Sequence, residues 1–206
     1  MNELNNYKKE LAEHKINGDK LRSQVNLFEK SIDIFDVRLA RNEQYVNRES
    51  LIISGIPSNV SQRNLEETVL NILHNIGLEN LSSYEIAVCH RLKKKEDDPY
   101  PARTIVRFTN RKIVYYCLKN RSKLSNLKRS LKMNLRFYES LCSSNQTVLR
   151  MCTELKNKNI IKEYFISNGF VKIIRSVQDH PIKINNPNML RVLFAGHYNS
   201  EDLQTT

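Results

Sequence analysis

The segment Leu51-Ile52-Ile53-Ser54-Gly55-Ile56-Pro57 marks a change in the periodicity of this chain. Before it, apolar residues recur every three or four positions, whereas from it onward short apolar runs alternate with amphipathic stretches. A short, mainly apolar run that ends at a proline is typical of a buried β-strand. The segment therefore predicts the first strand of a domain that begins near residue 48.

The residues that follow predict two helices and three further strands. One helical face collects Leu65, Val69, Ile72, Leu73 and Ile76 and ends at Gly77, which is a helix-terminating residue. Apolar patterning predicts strands at 85–92, 104–108 and 133–138, and a second helix over 113–124. The resulting order is βαββαβ, in which two helices cover one face of a four-stranded antiparallel sheet and leave the other face free for a ligand.

Residues 1–47 contain no proline and carry a heptad pattern. Such a segment, if helical, extends about 70 Å at 1.5 Å per residue, which exceeds what a small domain needs to cover its own core. Self-association as a coiled coil is the favoured interpretation, with packing back onto the chain as the alternative, and the number of strands stays open. The apolar seam of 21–39 comprises Leu21, Val25, Phe28, Ile32, Phe35 and Leu39.

The carboxy-terminal part predicts a small α/β domain over 142–197, followed by a disordered tail at 198–206. A helix is expected over 145–156, and two strands at 160–166 and 170–174 flank Asn168-Gly169. Asn-Gly between two β-rich runs is a strong hairpin signal. The predicted fold class is therefore α+β: a long amino-terminal coiled-coil helix, a βαββαβ sandwich over 48–141, and this carboxy-terminal domain.

Positive charge is concentrated in one window. Residues 85–139 hold fifteen Lys and Arg against five Asp and Glu, a net +10 of the chain's formal +11. Clustered excess charge is typical of a protein that binds a polyanion, although a basic surface that only keeps a domain in solution is the alternative. Because the charges come from a loop, a strand and a helix, they can converge on one surface.

Composition and motifs exclude several other classes. The 206-residue chain has no long uncharged apolar stretch and no visible secretory signal, which predicts a soluble intracellular protein of the cytoplasm or nucleus. Its four cysteines lack the spacing of a zinc site or a disulfide framework, so we expect no metal and no cofactor. There is no phosphate-binding loop and no nucleophile elbow, so we expect no enzymatic activity.

Several strings of residues carry a resemblance to a known family. They are Asn47-Arg48-Glu49-Ser50-Leu51-Ile52-Ile53-Ser54-Gly55-Ile56-Pro57, His90-Arg91-Leu92 and Arg103-Thr104-Ile105-Val106-Arg107-Phe108-Thr109-Asn110-Arg111. With them the sequence resembles the first open-reading-frame protein of LINE-type retrotransposons. Residues 157–175, with Phe165-Ile166-Ser167-Asn168-Gly169-Phe170, resemble the carboxy-terminal domain that this family shares with the baculovirus few-polyhedra protein, and the tail Pro181-Ile182-Lys183-Ile184-Asn185 also fits that domain.

The resemblance implies a homotrimeric coiled coil that presents RRM-like and carboxy-terminal domains. It also implies binding of single-stranded RNA or DNA with little sequence preference, and nucleic-acid chaperone activity. In the viral branch it implies an accessory protein that affects occlusion and virion morphogenesis. The chain departs from the RRM pattern, because Ser54 and Arg107 stand on the strands where stacking aromatic residues are expected, so phosphate contacts must carry more of the affinity.

The site predicted from these residues is a phosphate-binding surface. Arg103 and Arg107 are expected to contact phosphates from the sheet, with Arg107 pointing only at water as the alternative, while Tyr138 is the best candidate for base stacking. The rival hypothesis is a structural or accessory adaptor, a virion or ribonucleoprotein component that acts through coiled-coil protein contacts. The predicted nucleic-acid-binding residues are His90, Arg91, Lys93, Lys94, Lys95, Arg103, Arg107, Arg111, Lys132, Arg136 and Tyr138.

Overall fold

The structure is a computed structural model that describes residues 2–94, 96 and 98–197. The chain forms two compact units, Met1–Leu39 and Ala40–Thr206. Of the sequence-based predictions, the site residue Lys95 and the disordered tail at 198–206 lie outside the described residues. The α+β fold class is confirmed, whereas the division into domains at residues 47 and 141 stays a prediction.

The first unit is part of one long helix, α1 (Asn2–Asn47). Its predicted seam is exposed in the single chain, with 69% of Phe28 and 65% of Phe35 accessible to solvent. None of the helices in the described part of the chain combines the length and apolar content that a membrane crossing requires. The long helix is confirmed, and its assembly into a coiled coil stays a prediction.

The second unit contains a four-stranded antiparallel sheet with the order β2-β3-β1-β4. Its strands are β1 (Ser50–Ser54), β2 (Ile86–Arg91), β3 (Thr104–Phe108) and β4 (Arg136–Glu139). Three helices accompany it: α2 (Gln62–Asn75), α3 (Arg111–Lys119) and α4 (Leu124–Leu131). This arrangement confirms the predicted βαββαβ order.

Two elements of this part differ from the prediction. The second helix is divided into α3 and α4, because Asn120 ends α3 with its backbone and side-chain nitrogens both donating to the carbonyl of Tyr116. The fourth strand begins at Arg136 and not at Met133, since Lys132 adopts a left-handed conformation that ends α4. Both differences change the bounds of elements and leave the order of the fold unchanged.

The core of this part lies between the sheet and the helices. Side chains alternate along a strand, so Leu51 and Ile53 of β1 share one face with Val106 and Phe108 of β3. All four are at most 1% exposed. On the helix side they pack in one cluster with apolar residues of α2 and α3, which include Leu65, Val69, Ile72, Leu73, Val114 and Cys117.

The carboxy-terminal part has a core of its own. It comprises α5 (Ser143–Asn157), β5 (Glu163–Ser167), β6 (Phe170–Ile174), β7 (Ile182–Lys183) and α6 (Pro187–Leu193). The three strands form an antiparallel sheet with the order β5-β6-β7. The predicted hairpin is confirmed, because Asn168 and Gly169 both adopt positive φ angles between β5 and β6. Its first strand starts at Glu163, three residues later than predicted.

A buried hydrogen-bond network around Gln44 connects the end of α1 to this unit. The side chain is 1% exposed, and its Nε2 donates to the carbonyl of Ser140 at 2.8 Å. Its Oε1 accepts from the backbone N–H of Cys142 at 2.9 Å and from Nδ2 of Asn145 at 3.1 Å. Asn145 Nδ2 also donates to the carbonyl of Gly169 at 2.7 Å. One glutamine thus links α1, the residues after β4, and α5, which in turn bonds to the hairpin turn.

Gly169 is required at this turn for two reasons. Its φ of 78° lies in the left-handed region, which favours glycine. A Cβ at this position would also collide with the side chain of Gln44. In addition, its backbone N–H donates to the carboxylate of Glu139. Burial raises the pKa of the Glu139 carboxyl, and this backbone hydrogen bond opposes that shift.

We predict that Gln44→Ala destabilises the folded unit by about 2–4 kcal/mol, because the carbonyl of Ser140 and the N–H of Cys142 lose their partner in a buried place. Urea denaturation followed by circular dichroism measures this change. The control is Asn26→Ala, an exposed position of the same helix outside the apolar seam, for which we expect a change within about 0.5 kcal/mol. Equal effects of the two substitutions would contradict the role given to Gln44.

Candidate nucleic-acid interface

The face of the four-stranded sheet opposite the helices carries charged and aromatic side chains. The register places His90 opposite Ile105, Ile105 opposite Ile52, and Ile52 opposite Tyr138, so these residues form one row across the sheet. Arg136 pairs with Ser54, and Arg107 pairs with Ser50. Because side chains alternate along β3, Arg103 and Arg107 lie on the same face as Ile105. The sheet thus brings together five of the predicted site residues: His90, Arg103, Arg107, Arg136 and Tyr138.

Arg103 and Tyr138 are in contact across the central strand. The guanidinium carbon of Arg103 lies 5.7 Å from the centroid of the Tyr138 ring, which is a cation–π distance. Strand β1 lies between β3 and β4, and its residue Ser54 comes directly after Ile53, which pairs with Thr104. The short side chain of Ser54 leaves room for Arg103 to reach β4.

A cleft of about 850 Å³ lies at this end of the sheet face. Among the residues that the structure describes, four cations and one acidic residue, Asp98, line it. Two tyrosines, Tyr100 and Tyr138, line it as well. The lining includes four predicted site residues, Lys93, Lys94, Arg103 and Arg136, besides Tyr138.

The loop that forms one wall of the cleft is held by its own hydrogen bonds. Lys94 Nζ donates to the carbonyl of Asp98 at 3.0 Å and to that of Tyr100 at 3.2 Å. Asp98 Oδ1 accepts from the backbone N–H of Tyr100 at 3.0 Å. Lys94 is thereby hydrogen-bonded to two later residues of the loop, and it lines the cleft.

Arg91 is held inside the fold by hydrogen bonds. Its Nη1 donates to the carbonyls of Ile56 and Ala102, and its Nη2 donates to those of Pro57 and Val60, at distances of 2.6–3.3 Å. Arg91 pairs with Thr104, which places it on the helix side of the sheet. Its four carbonyl partners position the base of the basic loop, and its contact with phosphate stays a prediction.

Arg107 lies on the sheet face but outside the lining of the cleft. Its Nη2 donates to Glu49 Oε2 at 3.2 Å, and both side chains are more than a third exposed. Exposed ion pairs of this kind contribute about 0–1 kcal/mol, so a phosphate group can replace Glu49 at little cost. Arg107 thus stays available as an outer contact.

Two predicted residues are not brought to this surface. Arg111 begins α3 and lines a separate cleft of about 840 Å³, which also includes Arg48, Arg121 and Phe165. Lys132 is exposed at the left-handed position after α4 and lines neither of these clefts.

Two residues that line the cleft, Tyr100 and Asn134, are not among the nucleic-acid-binding residues predicted from the sequence. The signal for Tyr100 was an aromatic residue between two prolines within a basic loop. Asn134 carried no local signal, because its place in the cleft arises from the close approach of its backbone to Gly55.

Three of the four cysteines are buried. All four are free thiols, and burial raises the pKa of Cys117 and of Cys152 to about 12. Within the described residues, no group of three or more His, Cys, Asp or Glu side chains is placed to hold a metal ion. As expected from strand alternation, Cys89 packs against the core while its neighbour His90 is exposed.

No protein-family model matches this chain, and no curated protein sequence matches it.

We predict that Arg91→Ala lowers the free energy of unfolding by about 2–3 kcal/mol, because four carbonyl groups lose their donor. Arg107→Ala, the matched control on the same sheet, should cost less than about 1 kcal/mol because its ion pair is exposed. Thermal and urea denaturation of both variants measure this difference. The opposite order of stabilities would contradict a positioning role for Arg91.

Proposed function

We propose that this chain binds single-stranded RNA or DNA with low sequence specificity, through the uncovered sheet face and the adjoining cleft. The observation that carries the proposal is the Arg103–Tyr138 pair inside a cleft lined by four cations. A cation next to an exposed aromatic ring is the combination that single-strand-binding surfaces use, since the cation meets a phosphate and the ring meets a base.

The cations supply affinity through counterion release. Each phosphate that Lys or Arg neutralises releases condensed counterions, which gives a slope of about −0.7 in log K against log salt for a single strand. Lys93, Lys94, Arg103 and Arg136 are the candidates for these contacts, with Arg107 and His90 farther along the same face. Binding is therefore expected to weaken steeply as salt is added.

The aromatic residues supply stacking that does not depend on base identity. Tyr138 is 37% exposed and Tyr100 is 74% exposed, so both rings are accessible from the cleft. A base can stack on Tyr138 after Arg103 moves aside, or on the guanidinium plane itself. Stacking on a tyrosine ring and charge attraction to phosphate are open to every base, which supports low sequence specificity.

The exposed seam of α1 supports self-association of the same protein. A homotrimer is the assembly that the resemblance to the LINE-type proteins favours, and several copies of the cleft on one oligomer would increase avidity for a long strand. Within this proposal the protein coats or chaperones nucleic acid in the cytoplasm or nucleus, and it is related to the retrotransposon and few-polyhedra proteins. Its role is binding rather than catalysis.

A second candidate function is that of a structural adaptor, in which α1 binds protein partners. It is favoured by the exposure of all six seam residues in the single chain, from 48% for Val25 to 69% for Phe28. The adaptor hypothesis makes the basic cleft a site for acidic proteins, so it predicts no affinity for oligonucleotides.

We predict that the protein binds a fluorescein-labelled mixed-sequence 20-nucleotide strand. Arg103→Gln with Arg136→Gln should weaken binding about tenfold near 0.1 M salt and flatten the salt slope by about 1.4. Fluorescence anisotropy at several salt concentrations measures both quantities. Lys8→Gln with Lys20→Gln removes the same charge from exposed positions of α1 and should leave the slope unchanged. Absence of wild-type binding at low salt would reject the proposal and favour the adaptor.

We predict that the wild-type protein sediments as an oligomer and that Ile32→Asp with Phe35→Asp yields monomer, because two charges in an apolar seam must be desolvated on assembly. Sedimentation equilibrium measures the mass. The control, Lys30→Asp, changes charge at an exposed position off the seam and should keep the oligomer. A monomeric wild-type protein would overturn the coiled-coil assignment.

A further inference from the structure

A second cationic cluster lies on the carboxy-terminal sheet, away from the cleft described above. Lys172 of β6 and Lys183 of β7 are directly paired across the two strands. Since paired residues point to the same side of a sheet, the two ammonium groups share one face, opposite the buried Ile173. Like charges directly opposite each other destabilise a sheet, so this pair works against the fold that contains it.

Arg41, in the last turns of α1, and Arg48, directly after that helix, add to this cluster. Arg41 and Arg48 both contribute, with Lys172, to the electrostatic environment of Lys183. Burial is the largest cause that lowers the pKa of the Lys183 ammonium, and the repulsion from these three cations lowers it further. Four cations, two on neighbouring strands and two at and just after the end of α1, thus repel one another electrostatically.

The Lys183 ammonium is held in place by an aromatic ring. Its Nζ lies 3.4 Å from the centroid of Phe170, a buried residue on the same strand face as Lys172. A cation–π contact of this kind stabilises a partly desolvated ammonium. It fixes the charge next to the other cations of the cluster.

Arg48 has an unused donor at this place. Its Nε atom is buried and has no hydrogen-bond partner among the described residues. Its guanidinium lies 5.7 Å from the ring of Tyr45 and borders the cleft of about 840 Å³ that contains Phe165. Phe165 pairs with Lys172 on β5, so the cleft and the lysine pair are neighbours. A buried donor without a partner normally costs stability and indicates a missing acceptor.

We infer that Arg48, Lys172 and Lys183 form a second phosphate-binding site, with Arg41 completing its positive field. The ligand class is a phosphate oxyanion, which offers acceptor oxygens to the Arg48 donor and negative charge to the paired lysines. Such an anion relieves the repulsion that the sheet otherwise carries. Phosphate can come from the backbone of a nucleic-acid strand or from a free polyphosphate, and the site does not depend on the function proposed above.

The test uses thermal unfolding of the full chain with inorganic tripolyphosphate, compared with sodium chloride at equal ionic strength. Arg103→Gln with Arg136→Gln serves as the background, because it removes cations of the sheet-face cleft. In this background we expect tripolyphosphate to raise the unfolding midpoint by about 3 °C or more. Adding Lys172→Gln and Lys183→Gln should abolish the rise, and Lys172→Arg with Lys183→Arg should retain it.

The matched control adds Lys128→Gln and Lys158→Gln, which remove two exposed charges elsewhere in the same unit and should keep the rise. Without anion, the Lys172→Gln and Lys183→Gln variant loses both the repulsive pair and the Lys183–Phe170 contact, which offset each other, so its midpoint should stay close to that of its background. A background protein without any rise, or a rise that survives loss of both lysines, would overturn the site.

A second measurement identifies the source of the phosphate. If a nucleic-acid strand occupies the site, Lys172→Gln with Lys183→Gln flattens the salt slope for a 20-nucleotide strand by about 1.4. An unchanged slope together with the tripolyphosphate response assigns the site to free phosphate compounds. If the wild-type protein binds no strand, the proposed function fails, while the response to tripolyphosphate still supports this site.

Discussion

The two-residue period of the central strands is the constraint on which the arrangement of this protein depends. Burial of Leu51, Ile53, Val106 and Phe108 against the helices fixes the register of β1 and β3. A shift of one residue would expose this apolar set and bury arginines, which is prohibitively costly. The same register therefore holds Arg103 and Arg107 on the uncovered face. Alternate residues of the same strands therefore form the core on one face of the sheet and the candidate interface on the other.

Buried polar groups then set the positions of the parts around the sheet. Arg91 gathers four backbone carbonyls and fixes the base of the basic loop, so the loop closes one side of the cleft. Gln44 connects the end of α1 to the segment after β4 and to α5. In both cases a polar side chain satisfies backbone groups that burial would otherwise leave unpaired. Both residues thus fix the positions of the segments that surround the candidate interface.

Local patterns were sufficient to predict most of the elements, and they failed where distant segments meet. The period of two at β1 and β3, the helical face of α2, and the Asn168-Gly169 turn each depend on near neighbours in sequence. Gln44 occupies a polar position of a heptad, and its partners lie about a hundred residues away, so no local pattern indicated that it is buried. Arg91 belongs to a basic run, and only the strand register shows that it faces the helix side. Charge density alone grouped all the cationic residues into one predicted surface. It could not distinguish exposed cations from Arg91, which is hydrogen-bonded to backbone carbonyls.

If single-stranded nucleic acid binds at the cleft that contains Arg103 and Tyr138, its bases lie against the aromatic rings of that cleft. Photo-crosslinking of a strand that contains 5-bromouracil, followed by peptide mapping, tests this binding site because the method reports which side chains touch bases. We expect crosslinks at Tyr138 or Tyr100, the aromatic residues of the cleft. Crosslinks confined to Tyr84 and Tyr115, which are exposed but do not line the cleft, would contradict binding at this cleft.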